Sequence, residues 1–397
     1  MMTLLLRLLA IQISLAVLLC GLAATSPASA QTTRPSIAER ERFICAERVV
    51  LEDGRPAPGH IRQLRWLDPL TGKARDPQGF GVRGPREFLR TSLLDTRGRA
   101  LLELHAIGDL SRGGRIGLTK SEPGAPTAVF ETNEATSVWP SGAISPDGTR
   151  IVFFDHHAES LVIGDTTNAH RIPTQWIVTH PFSWRPDSKQ VTFYYASGYD
   201  GDDLHIQNHG IATLSADGQL RELVRASDTA GTPDGMGKYM GPLWGPSGRF
   251  IYYTSGLPLD DPDRNSTAAK MIPGKSAAYR VQVDTGRTER IGLGELASVS
   301  PDERYVLLFY SPVPREDGRW GGGTTKVDLE TREATYLPAG IAYPKISPSG
   351  ELVATLALDA IHFFDTKDWK PHGQPIAREP HVSPEEWGRE YRWIVIE

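Results

Sequence analysis

Chemistry-bearing side chains concentrate in a few short stretches of this chain. Tyr199-Asp200-Gly201-Asp202-Asp203 sets three carboxylates within four residues, with His205 and His209 just beyond. Hard cations take oxygen ligands of this kind, but an EF-hand starting at Asp200 needs Glu at its twelfth position, where Ile211 stands. The simpler reading of the carboxylates is a solvated acidic loop. Asp155-His156-His157 adds a carboxylate and two imidazoles, donors that suit Mn, Fe or Zn. Adjacent His156 and His157 point to opposite faces of an extended chain, and neither HExxH nor a pair of cysteines accompanies them. Asp155, His156, His205 and His209 are therefore the metal candidates, and a divalent metal is the cofactor they would imply. Trp320 stands in Gly318-Arg319-Trp320-Gly321. An exposed indole there offers a stacking plate for a sugar or peptide; a packed one would tuck against neighbouring strands. Tyr239 and Asp260-Asp261-Pro262-Asp263 complete the set. No G-x-S-x-G elbow occurs to support serine acyl transfer.

The elements that must position these groups are read from a repeated turn. Ser145-Pro146-Asp147-Gly148 separates a short apolar segment from Ile151-Val152-Phe153-Phe154. Ser, Pro and Gly suit the first, second and fourth places of a type I turn, and the β-branched and aromatic run after it is strand composition. Related turns follow at Pro186, Pro246, Pro301 and Pro348, at spacings of 40, 60, 55 and 47 residues. A second hairpin turn lies between them, as in Asp284-Thr285-Gly286-Arg287, Asp328-Leu329-Glu330-Thr331 and Asp365-Thr366-Lys367. Each repeat is thus strand A, Pro turn, strand B, connection, strand C, Asp turn, strand D. A period near 40 that stretches by insertion fits the four-stranded blade of a propeller.

The S-P-D-G-x-x-apolar turn, alternating with D-x-x-T-G hairpins, resembles the TolB-like (PD40) β-propeller family from about Phe88 onward. The resemblance implies architecture; members of that family bind partners or precede catalytic domains. Only the turn at Pro146 carries the whole Pro-Asp-Gly. Oligogalacturonate lyases are similar seven-bladed propellers with a His-centred metal site over the central channel, and they supply the alternative functional reading.

Pro-type turns fall near residues 95, 146, 186, 246, 301, 348 and 384, and Asp-type turns near 68, 121, 165, 215, 284, 328 and 365. The expectation is an all-β, seven-bladed propeller, or six-bladed if the hairpin near Asp95 is no blade. Ile61–Leu67 is a strand C without its A–B hairpin, and the Pro384 turn with Tyr391–Ile396 is an A–B pair without C and D. The two ends are expected to share one blade, which removes two open sheet edges. Ser36-Ile37-Ala38-Glu39 has the capping-box spacing that starts a short helix; alternatively Phe43–Val50 is already a strand, with Glu52-Asp53-Gly54 as its turn.

Residues 1–30 carry one early charge, Arg7, an apolar run and Ala28-Ser29-Ala30, the pattern of a cleaved secretory signal. Residues 31–42 read as a leader and 43–397 as a single propeller domain, periplasmic or secreted, with no membrane span after cleavage. Without Arg7, 43 basic residues become 42 against 48 acidic ones, a balance that argues against nucleic acid or an anionic membrane as partner. Cys45 would be left as the only cysteine of the mature chain.

Strands alternate in direction, so A–B and C–D turns share one face, and B–C and D–A connections share the other. The insertions Ser197–His209, Arg225–Met240, Ser255–Ala277 and Ser311–Gly323 all belong to the second face, in three consecutive blades. Loops on a rigid scaffold are where binding resides. The expected ligand-binding residues are Tyr199, Asp200, Asp202, Asp203, His205, Tyr239 and Trp320, serving an envelope or extracellular protein or peptide, or less favourably a carbohydrate. The alternative is a metal-dependent, polysaccharide lyase-like enzyme. It is the weaker reading because the histidines keep no ligand spacing and no basic cluster awaits a uronate.

Overall fold

The computed structural model describes residues 41–48, 62–69, 71, 73–75, 89–94, 101–107, 115–121, 128–131, 142–155, 158–165, 169–196, 209–225, 241–258, 260–270, 272, 275–314, 320–338, 340–357, 360–377 and 392–395. All of them fall within the unit Ile37–Glu397.

The repeat folds as read, one four-stranded antiparallel sheet per period. In chain order the strands are β1 (Glu41–Arg48), β2 (Arg62–Asp68) and β3 (Lys73–Arg75), then β4 (Leu89–Leu94), β5 (Leu101–Ile107), β6 (Arg115–Ser121) and β7 (Ala128–Glu131). Next come β8 (Gly142–Ile144), β9 (Ile151–Asp155), β10 (Ser160–Gly164), β11 (Ala169–Pro173), β12 (Ile177–Trp184), β13 (Gln190–Ala196), β14 (His209–Ser215) and β15 (Leu220–Val224). They are followed by β16 (Leu243–Trp244), β17 (Phe250–Gly256), β18 (Ser276–Gln282), β19 (Thr288–Leu293), β20 (Glu295–Val299), β21 (Tyr305–Pro314), β22 (Trp320–Asp328) and β23 (Ala334–Tyr336). The last are β24 (Lys345–Ile346), β25 (Leu352–Leu356), β26 (Ala360–Asp365), β27 (Ile376–Ala377) and β28 (Arg392–Val395). Among the described residues these make seven sheets. Six take four consecutive strands each, and the seventh has the order β28-β1-β2-β3.

That composite sheet corrects one expectation. Tyr391–Ile396 was to be a second strand, behind the Pro384 turn. Instead β28 occupies the edge place and β1 is second, with Phe43 opposite Trp393 and Ile44 opposite Arg392. The stretch around Phe43 is thereby a strand. The reason lies in packing: the Phe43 and Trp393 rings meet at 5.1 Å and both meet Phe363 of β26, at 5.9 and 5.7 Å. Pairing that buries three aromatic rings at once outweighs a local turn signal. The Pro384 turn itself lies outside the described residues.

Backbone bonds explain why one end of every described repeat is so short. In each Pro turn the fourth residue donates to the first: Gly148 to Ser145, Ser188 to Arg185, Gly248 to Gly245, Glu303 to Ser300 and Gly350 to Ser347, at 2.8–2.9 Å. That fourth residue is left-handed every time, with φ of 72°, 60°, 68°, 53° and 79°. The Asp turns sit directly beside them. Ala216 donates to Lys189 O, Val283 to Arg249 O, Leu329 to Arg304 O and Thr366 to Glu351 O. Consecutive sheets are also joined here, through Ser188 Oγ, which accepts from the Asp147 amide, and through Glu303, which accepts from the Ser247 amide and hydroxyl.

Side chains between sheets make a succession of shared cores. Phe154, Leu161 and Ile163 pack on Trp184, Phe193 and Tyr195; Tyr194 and Ile211 pack on Trp244 and Tyr253. Tyr252 and Ile291 pack on Leu296 and Leu308, Leu307 and Leu337 on Val353 and Phe364, and Ala354 and Phe363 on Phe43, Leu67 and Trp393. Each such large side chain contributes about 1.5–3 kcal/mol on burial. First strands are also tied to their predecessors by hydrogen bonds. Trp184 Nε1 donates to Ala143 O (3.2 Å), the Trp244 amide to Ser183 Oγ (3.0 Å), the Ile346 amide to Ser298 Oγ (3.1 Å) and Trp393 Nε1 to Lys345 O (2.8 Å).

Candidate functional site

With the described turns tied to one another at one end of their sheets, the long connections lie at the opposite end, where second strands stop and first strands start. The connections between β13 and β14, β17 and β18, and β21 and β22 all leave from this end, in three consecutive sheets. Tyr199, Asp200, Asp202, Asp203 and His205 belong to the first of these connections and Tyr239 to the one before β16; all six lie outside the described residues, as does His156. His209 opens β14, its backbone opposite Ala196, and Trp320 opens β22 opposite Pro314.

Trp320 is where expectation and structure differ. Ser311–Gly323 was read as an inserted loop, yet β21 and β22 pair through it: Ser311 with Gly323, Pro312 with Gly322, Val313 with Gly321. Prolines two apart turn their missing N–H to the same side of a strand, leaving the other side free to pair. A glycine run can fill the partner strand because the ladder needs only its backbone. The hairpin therefore runs on past the bulge at Tyr310 as far as the pair Pro314 and Trp320.

The connection after β17 builds its own small core. Leu257, Ala277 and Ala269 are fully buried together, the last of them on a short helix, α1 (Thr267–Lys270). Asp261 caps the 3-10 turn Pro262–Asn265 by accepting from the Asp263 amide at 2.9 Å. Arg290 then takes both acids, Asp261 at 2.9 Å and Asp263 at 2.6 Å. Two of the carboxylates in Asp260–Asp263 thus serve the fold of the loop.

Asp155, the metal candidate whose side chain is described, is wholly buried at the end of β9. Arg171 of β11 reaches across β10 to Asp155 Oδ2 at 2.5 Å and to Ser160 Oγ at 2.9 Å, and the Ala158 amide donates to Oδ1 at 3.2 Å. The carboxylate closes a turn and balances a guanidinium.

A group that sequence reasoning missed stands between the roots of the β17 connection and the β21–β22 hairpin. Glu295 opens β20 directly opposite Phe309. The Phe309 ring lies 4.1 Å from that of Tyr310 and 4.3 Å from that of Tyr343, and the two phenol oxygens meet at 2.7 Å. Tyr310 and Tyr343 both hold left-handed backbone, φ 51° and 47°. No described donor or cation reaches the Glu295 carboxyl, and burial pushes it up to about 7. On its other side is Tyr194, buried, bonded to both N and O of Thr254, and raised by burial with a contribution from the Glu295 charge. The available signal was a lone charge, Glu295, between Gly294 and the apolar strand that leads into Pro301.

No family model matches the chain, and neither does any curated protein. Solved structures do. An oligogalacturonate lyase in complex with manganese is 11% identical with a TM-score of 0.49, over 87% of this chain and 89% of that one. TolB from Acinetobacter baumannii is 14% identical with a TM-score of 0.38, over 85% and 82%. A periplasmic gluconolactonase from Pseudomonas aeruginosa is 14% identical with a TM-score of 0.46, over 90% and 100%. All three are β-propeller folds. The likeness concerns the fold alone.

Proposed function

We propose that this chain is an exported seven-bladed propeller, shut by β28 joining β1–β3, that binds a protein or peptide of the envelope or extracellular space and performs no chemistry of its own. One observation carries the reading: the described turn ends bond to each other and leave little to recognise, whereas the opposite ends carry the long connections of three consecutive sheets. One of those connections is a built structure with its own core, which gives a partner a fixed surface. Export rests on Arg7, the apolar run after it and Ala28-Ser29-Ala30. Among the described residues no helix is long and apolar enough to cross a membrane.

The test is a pull-down from envelope extract followed by hydrogen-exchange footprinting of the purified pair. Trp320→Ala and Tyr199→Ala should each weaken binding by about 1–3 kcal/mol, the scale of aromatic anchors, and leave Tm unchanged. Protection confined to the turns at Pro146, Pro186, Pro246, Pro301 and Pro348 would overturn the reading.

A further inference from the structure

We infer that Glu295, with the rings of Phe309, Tyr310 and Tyr343, is a receptor for an ammonium group, the side chain of a lysine on the bound peptide or protein. The inference rests on the binding reading above and deepens it by naming the ligand's chemistry. Residues directly opposite each other in an antiparallel ladder place their side chains on one face with Cβ atoms about 4.5–5.5 Å apart. The Glu295 carboxyl therefore stands beside Phe309, and through it beside the two tyrosine rings. Ring faces are negative and attract a cation, and a carboxylate adjacent to them supplies the full countercharge.

Three further features fit a built site. The two tyrosine hydroxyls meet at 2.7 Å, which holds one ring against the other. Both tyrosines keep a backbone conformation that disfavours side chains, and Tyr310 does so at a register shift in β21 between Leu308 and Ser311, the kind of bulge that re-aims a side chain. The whole chain is acidic, net −5, which favours encounter with a basic partner. A neutral sugar would stack on the rings and donate hydroxyls to the carboxyl, but would bring no charge to balance it.

Among the described residues, the ionisable side chains near Glu295 are the phenols of Tyr194 from β13, Tyr310 from β21 and Tyr343 from the connection before β24. The charged residue on β24 is Lys345. Burial holds the Tyr194 phenol well above its ordinary range, and it pushes the Glu295 carboxyl up to about 7, so Glu295 is the group expected to titrate between pH 5 and 8. A bound ammonium favours the ionised carboxylate, so affinity should rise with pH through about 7.

Trilysine, its fully Nε-acetylated form and triglutamate are the probes, titrated calorimetrically into the full chain. Trilysine should bind at pH 8, at least tenfold tighter than acetylated trilysine, and weaken at pH 5.5; triglutamate should not bind. Glu295→Gln should lose at least tenfold at pH 8 and lose the pH dependence, whereas Glu330→Gln at the turn end should change nothing. Tyr310→Phe should keep binding and Tyr310→Ala weaken it. Folding of the glutamine variant is checked by its melt. A raised acid stabilises the fold below its unfolded pKa and loses that contribution as pH rises through about 7, so Glu295→Gln should match the wild type at pH 4 and outlast it at pH 8. Equal binding of trilysine by wild type and Glu295→Gln, or equal binding of the acetylated peptide, overturns the inference. If an envelope partner is lost by Trp320→Ala but held by Glu295→Gln, the ammonium site falls while the binding face stands.

Discussion

Arg171 pairs with Asp155 where that side chain is wholly buried, and the two residues should respond unequally to removal. Asp155 is completely buried, while the Arg171 side chain is 30% exposed and can turn to solvent if its partner goes. Arg171→Ala leaves a buried carboxylate without its cation and should cost about 3–5 kcal/mol. Asp155→Asn leaves an arginine that can rehydrate and should cost about 1–3 kcal/mol. Urea unfolding of the two variants measures the order; the reverse order would mean that other contacts hold Asp155. In the sequence this residue looked like a metal candidate because His156 and His157 follow it. Arg171, the cation it pairs with, lies sixteen residues on and two strands away, beyond any local pattern. Glu295 was hidden for the same reason, since its aromatic neighbours come from the other side of a hairpin and from the next sheet.

Turns are the elements most fully written in local sequence. Proline, aspartate and glycine act through their own backbone preferences, so the five described Pro turns could be placed from residue type alone. Gly148 holds φ 72° in the first of them, and Gly148→Ala should destabilise the chain by about 1–2 kcal/mol through backbone conformation. Thermal melts should show the loss, and binding at the far ends of the sheets should be untouched; a binding defect without a stability defect would move the functional face to the turns. The hairpin β21–β22 was harder to read because proline and glycine usually end strands. What decides there is the spacing of Pro312 and Pro314 and the backbone of Gly321–Gly323, which depend on a partner strand being present.

The order of the sheets along the whole molecule follows from the shared cores, which pass from the sheet of β8–β11 through four further sheets to the composite one. Sequence periodicity located the described Pro turns, but which strand takes the edge place is a long-range choice made by packing. Trp393 is the anchor of that choice. Trp393→Ala should cost about 3–5 kcal/mol, and deleting 381–397 should uncover the edge of β1 and the Phe43 face. Light scattering should then report aggregation; a soluble deletion with an unchanged melt would remove β28 from its structural role. The same pairing also sets a timetable. Roughly 340 residues separate β1 from β28, and at about 5–20 residues per second a ribosome needs tens of seconds to supply them. For that interval β1–β3 wait with an unpaired edge. A holdase that covers it during synthesis should raise the yield of native chain more than one acting after β28 has emerged.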